Sequence, residues 1–210
     1  MAIHPIEFRY GTAEMRSIWE EEYRFSCIVQ AEVALAKASA AHLFIPAAAA
    51  DAIAAGAGKA TLARAKEIEE EISHDMMAIV KAIAEQCGEG GGYVHYGATS
   101  NDILDTATGL QVKASLSILD RKLRGLLSVL LKRADETRTL VCAARTHGQI
   151  GVPTTYGLRF AIWASEVARH IERLGQMTPR VAVGQLTGAV GTQSALGGKG
   201  MEIQATMLEI

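Results

Sequence analysis

Apolar positions recur at helical spacing along most of this chain, and the breaks between the runs carry glycine, proline or capping residues. The segment 13–40 has almost no breakers, and Trp19, Ile28, Ala31, Leu35 and Ala38 recur at helical spacing. Thr12 is placed to cap that helix, with Glu14 in its first turn complementing the dipole. Pro46 and the Gly56/Gly58 pair bracket a short second helix. From Thr61 to Cys87 the pattern is helical again, with Ile68, Ile72, Ile79 and Ile83 on one side and Gly88 as the stop. The run EGGGYVHYGATSN (89–101) reads as a glycine-rich loop.

From Asp102 to about Glu136 there is no proline and only two glycines, and Ile103, Ala107, Leu110, Ala114, Leu119, Leu123, Leu126 and Leu130 form an apolar stripe. At ~1.5 Å rise per residue this predicts a helix on the order of 50 Å long, a length that suits a bundle. Thr139 to Ala144 reads as an extended connector and RTHGQIGVP (145–153) as a polar loop. Residues 154–177 resume as a helix limited by Pro179. A third glycine-rich loop, QLTGAVGTQSALGGKG (185–200), leads into the amphipathic MEIQATMLEI. Its Met201, Ile203, Met207, Leu208 and Ile210 have no C-cap and no polar tail. That ending predicts the N-terminal part of a longer protein. The expected fold class is all-α: a small N-terminal helical domain (1–100), then the first long helices of a bundle (101–210), truncated.

Composition narrows the class. Of 210 residues, 49% are hydrophobic and 21% charged, which is the profile of a chain with a real core. The formal net charge of −2 gives no basic balance that would point to nucleic acid or an acidic membrane surface. Cys27, Cys87 and Cys142 are isolated, so neither a disulfide framework nor a Cys-x-x-Cys metal site is expected. A reducing, cytoplasmic setting is the natural reading. The start MAIHPIEFRY lacks a signal peptide's basic start and apolar run, and no apolar stretch reaches the ~18 residues of a membrane helix.

Three polar clusters carry candidate chemistry. In YVHYGATSNDILDTA (93–107), Gly97 permits a positive φ, and Thr99 or Ser100 can cap the long helix. Thr99-x-x-Asp102 resembles a capping box with Asp in place of Glu. The same free N–H groups and hydroxyls can instead bind a carboxylate or phosphate. Asp102 and Asp105 would repel such an anion unless they point away. Ser73-His74-Asp75 falls inside the helix expected over 61–87, and Asp75 follows the apolar line of Ile68, Ile72 and Ile79, where a carboxylate needs a partner. His147, between Thr146 and Gly148 in a loop with Arg145 and Gln149, can give or take a proton near neutral pH. The long spacing of His74, His95 and His147 supports no metal site, and GATSND is not a dinucleotide fingerprint. No metal and no cofactor are expected.

Together, RYGTAEMRSIW (9–19), SHDMMA (73–78), YVHYGATSNDILDTA, RTHGQIGVPTTYGLRFA (145–161) and GAVGT (188–192) resemble the adenylosuccinate lyase family, within the fumarase/aspartase superfamily. The match runs along essentially the whole chain in order. The resemblance implies β-elimination: proton loss next to a succinyl carboxylate, an aci-carboxylate dianion, expulsion of the nucleotide nitrogen and release of fumarate. It implies that Arg9 and Tyr10 hold the phosphate end of a purine nucleotide, and that Ser73, His74, Asp75 and His95 line the site, His74 counting with His147 among the catalytic residues. Thr99 and Ser100 would cradle a succinyl carboxylate, with Thr146 beside them, Gln149 as a further contact and His147 as general acid. It also implies a homotetramer whose sites combine loops of three subunits. The family's base is a serine in an SS-x-MP-x-K-x-N loop, which these 210 residues do not contain, so the fragment alone is expected to be inactive and to self-associate through uncovered apolar stripes. The alternatives are another lyase of the superfamily, for argininosuccinate, aspartate or a carboxymuconate, or a non-catalytic helical assembly module.

Overall fold

The computed structural model describes residues 9–210. Residues 1–8, most of the start that was read for a signal peptide, lie outside the described residues. Among the described residues the fold is helical apart from one two-stranded sheet. The described chain packs as two compact units: the residues up to Val112 together with Ala182–Ile210, and Lys113–Val181. The division by packing therefore falls inside the long helix rather than at about residue 100, and the 182–210 segment returns to the first unit.

The first unit opens with α1 (Ala13–Ile18), whose N-cap Thr12 accepts from the Met15 N–H, and α2 (Glu21–Ala41). The single helix expected over 13–40 is thus broken at Trp19–Glu20. No breaker residue marks the place. The Trp19 N–H closes a tight turn on the Arg16 carbonyl (2.9 Å), and the Ile18 carbonyl left free by the helix end accepts from the buried Gln111 side chain (2.7 Å). The expected short helix is α3 (Ala47–Gly56), entered from Pro46.

The long helix expected from Thr61 is also two helices, α4 (Leu62–Ile72) and α5 (Asp75–Ala84). Ser73 adopts a left-handed conformation (φ 52°), which restarts the helical period at Asp75. Asp75 accordingly does not lie on a buried stripe: its side chain is exposed in the first turn of α5, where a carboxylate favours the helix dipole.

A 3₁₀ stretch, Gly88–Tyr93, leads to α6 (Ser100–Glu136). The segment after residue 181 lies against the first half of α6: a Cβ on Gly109 would stand 2.1 Å from the Val183 carbonyl oxygen, so only glycine admits the approach. It ends in α8 (Gly200–Met207), which packs on α2. Ile28, Ala31 and Leu35 of α2, Ile53 of α3, Met76 and Ile83 of α5, Ile103 of α6 and Ile203 and Met207 of α8 share one core. Each such large side chain, fully buried, contributes about 1.5–3 kcal/mol.

The second unit contains the later part of α6, a hairpin and α7 (Tyr156–Val181). The connector and polar loop expected over 139–153 are in fact an antiparallel pair, β1 (Val141–Thr146) and β2 (Gln149–Thr155), with Thr146 opposite Gln149. The two-residue turn is His147-Gly148, both at positive φ (50° and 73°), as a type I′ hairpin requires. Pro153 sits in a two-stranded sheet, where every strand is an edge. Helix α7 runs past Pro179 and ends two residues later, rather than stopping before it. Leu130 of α6 with Ala164 and Val167 of α7 forms the core of this unit.

Candidate functional site

The best-developed polar arrangement is the approach to the N-terminus of α6. Gly97 has φ 82°, and a Cβ there would meet Leu196 at 2.6 Å, so the turn needs glycine on both counts. Half of the expected capping box is present. The Thr99 N–H donates to Asp102 Oδ2 (2.9 Å), while the Asp102 N–H donates to the Thr99 carbonyl (3.0 Å), not to its hydroxyl. Among the described residues, neither the Thr99 nor the Ser100 hydroxyl hydrogen-bonds to another protein group, and both residues are half-buried. The helix is therefore capped by a carboxylate from within. The two hydroxyls at its positive end remain open to an anion.

The Asp102 carboxylate is taken up by protein donors on both oxygens. It is fully buried and also accepts from the Thr187 N–H (2.8 Å), the Thr187 hydroxyl (3.2 Å) and the Gly188 N–H (3.0 Å). Asp105 accepts from the Gln185 side chain (2.9 Å). These bonds tie the QLTGAVGT loop to the α6 N-terminus, a connection 85 residues long in sequence at Asp102–Thr187.

His95 precedes this turn and is also in the left-handed region, at φ 65°. Its backbone N–H donates to Glu32 Oε2 (3.0 Å), and its Nδ1 stands 2.6 Å from Glu32 Oε1. Glu32, on α2, has no exposed side-chain surface, and that of His95 is 13% exposed. Burial disfavours the charged ring. The Glu32 hydrogen bond and charge, with Asp102 beyond, outweigh it and raise the His95 pKa above the ordinary histidine value.

The second cluster is a helix junction. The Met77 N–H donates to His74 Nδ1 (3.2 Å), making His74 the N-cap of α5, and the His74 and Asp75 side chains are exposed. Ser73 supplies the left-handed C-cap of α4. Among the described residues, no hydrogen bond or ion pair joins Ser73–Asp75 to His95–Asp102. Arg9 and Tyr10 are exposed ahead of Gly11 (φ 85°). The third cluster belongs to the second unit: Arg145, Thr146, His147 and Gln149 are exposed around the hairpin tip. A β-hairpin holds His147 with its ring outside any core, where a substrate or another chain can reach it. Among the described residues, no cluster of three or more His, Cys, Asp or Glu side chains is arranged to hold a metal ion, and no helix is long and apolar enough to cross a membrane.

Sequence reading missed Glu32 and the second role of Asp102. A signal for Glu32 was available, because one acidic residue interrupts the run IVQAEVALAKA beside Ala31 on the buried side of the helix. Nothing local announced the bonds from Asp102 to Thr187 and Gly188.

The lyase family model matches residues 7–208. The chain is 49% identical, over its whole length, to the adenylosuccinate lyase of Methanocaldococcus jannaschii and 52% identical to that of Methanothermobacter thermautotrophicus. It is 40% identical, over 97% of its length, to the N-acetyl-S-(2-succino)cysteine lyase of Dickeya dadantii. It covers 46%, 47% and 46% of these proteins, so it spans about half the length of the curated relatives it matches. Among solved structures, the fumarate lyase of Mesorhizobium sp. BNC1 superposes with TM-score 0.87 at 35% identity, over 94% of this chain and 48% of that one. The β-carboxy-cis,cis-muconate cycloisomerase of Acinetobacter calcoaceticus superposes with TM-score 0.88 at 30% identity, over 97% and 49%.

Proposed function

The chain belongs to the lyase family, and from that premise we propose that it is the N-terminal part of an adenylosuccinate lyase. That enzyme is a carbon–nitrogen lyase of purine nucleotide synthesis. It acts on adenylosuccinate and on the related succinylocarboxamide intermediate. The observation that carries the reading is identity of about half the positions along the entire chain to adenylosuccinate lyases. The relative named for N-acetyl-S-(2-succino)cysteine also acts on a succinyl compound but stands lower, at 40%.

In this reading the open α6 N-terminus, with the Thr99 and Ser100 hydroxyls, receives a succinyl carboxylate, and His95 lies beside it. Fixed donors there stabilise the dianion formed when the proton next to the carboxylate is removed. The C–N bond then breaks, and His147 gives its proton to the departing nitrogen, with Thr146 and Gln149 in support. Ser73, His74 and Asp75 line the substrate, with His74 assisting the acid, and Arg9 and Tyr10 take the nucleotide phosphate. The base lies in a serine loop outside these 210 residues. In the full-length protein, α6 and α7 are the first long helices of the bundle. A cytoplasmic homotetramer brings the His147 tip of one subunit to the α6 N-terminus of another.

Turnover followed by the absorbance change on fumarate release tests this reading. The 210-residue chain is expected to be silent and the full-length protein active. Turnover by the chain alone overturns the inactivity. Silence of the folded full-length protein towards both substrates overturns the assignment. His147→Ala in the full-length protein should lower kcat by about 10²–10⁴ with assembly intact. Loss of assembly without a specific loss of activity would favour a helical assembly module instead.

A further inference from the structure

Glu32 is an anomaly in its own helix. It lies among Ala31, Ala34 and Leu35, and its side chain is completely buried. A buried carboxylate is costly unless it is paired and hydrogen-bonded. Here both oxygens are used, and both go to one residue: Oε2 accepts the backbone N–H of His95, and Oε1 meets its Nδ1. His95 in turn holds a left-handed backbone, an uncommon conformation for a non-glycine residue. The Glu32 clamp holds it there, at a position four residues before Thr99.

We propose that Glu32 is a positioning residue for the site at the α6 N-terminus: its carboxylate fixes the backbone and the ring of His95 together, holds the proton on Nδ1, and leaves Nε2 as the atom that meets a bound anion or exchanges a proton. Which ring nitrogen carries the proton is set by the hydrogen bond the other makes. Among the described residues, no protein group hydrogen-bonds to His95 Nε2. In the neutral ring Nε2 is then an acceptor, and in the charged ring it is a donor. The groups that bias this choice are Glu32 from α2 and Asp102 from α6, both acidic and both favouring the charged ring over the effect of burial. The clamp itself is independent of the substrate. Its use in elimination rests on the lyase reading above.

Two kinds of measurement test it. Nitrogen NMR of labelled histidine in the 210-residue chain is expected to show neutral His95 as the Nδ1–H tautomer. A neutral ring protonated on Nε2 overturns the proposal without any variant, so the test survives if substitutions fail to fold. Glu32→Gln is expected to lower the His95 titration midpoint by on the order of one pH unit. An unchanged midpoint overturns the proposal. In the full-length enzyme, Glu32→Gln should lower kcat and displace the pH profile with little change in KM, and Glu32→Asp should restore part of the loss. An active wild type with an unaltered Glu32→Gln profile overturns the role in the reaction. A wild type that is inactive while the NMR results hold sinks the lyase reading and leaves the clamp standing.

Discussion

The two units of this chain bury their large apolar residues to different extents. In the first, Ile53, Met76, Ile83, Ile103, Ile203 and Met207 are fully buried, and the larger polar groups drawn in with them are satisfied: Glu32 by His95, Asp102 by residues 99, 187 and 188, Gln111 by Ile18, while the buried Ser39 hydroxyl has no protein partner among the described residues. In the second, Leu130, Ala164 and Val167 are the buried apolar cluster, while Leu126, Leu131, Val152, Ile162 and Trp163 are each about half exposed or more. Both units have strong helical periodicity in sequence. A stripe thus argues for helix, but burial follows only where the same chain brings enough other elements to cover it. The exposed apolar surface of the second unit is the kind that marks an interaction face.

The sharpest way to break this contrast is a pair of truncations in the isolated chain. Ile83→Ala should cost about 2–5 kcal/mol, whereas Leu126→Ala should stay within about 0.5 kcal/mol, both read from urea unfolding. Equal costs would mean that the second unit is packed as tightly as the first. Polar anchoring gives a smaller difference. Asp102→Ala strands buried donors and should cost about 1–3 kcal/mol, while Arg124→Ala, which removes an exposed pair with Asp120 in the second unit, should leave the unfolding midpoint where it was. The smallest effect is a dependence on pH that comes from His95. His95 has a raised pKa when folded. The stability it contributes is therefore complete below the ordinary histidine value of about 6.5 and is lost as pH rises through the higher native value. The urea midpoint should drift down over that interval, and His95→Asn should abolish the drift.

Much of the fold was legible from local signals. Thr12 caps the helix it was expected to cap, the helical pattern expected from Thr61 begins there, Pro46 opens α3, and α6 begins within two residues of the predicted start. The failures share a cause. The breaks at Trp19–Glu20 and Ser73 carry neither glycine nor proline, and long-range partners or a left-handed serine make them. The hairpin escaped because His-Gly is a less familiar I′ pair than Asn-Gly, and Arg145-Thr146 and Gln149 read as loop polarity. Two β-rich runs flanking a two-residue turn with glycine were nonetheless present. In the candidate site, the TSND cap was readable because its partners are three residues apart. The Glu32 and Thr187 contributions were not, because only the folded chain brings them near.

The return of residues 182–210 to the first unit has a consequence for the order in which the molecule is made. Ile203 and Met207 complete a core whose other walls, from Ile28 to Ile103, leave the ribosome far earlier. Until they arrive, that core stands open, and all of 113–181 must be synthesised as an insertion between its halves. Closing so long a loop costs entropy that local helix formation does not repay. Until residues 187 and 188 are made, the Asp102 carboxylate lacks three of the four donors it accepts from in the folded chain.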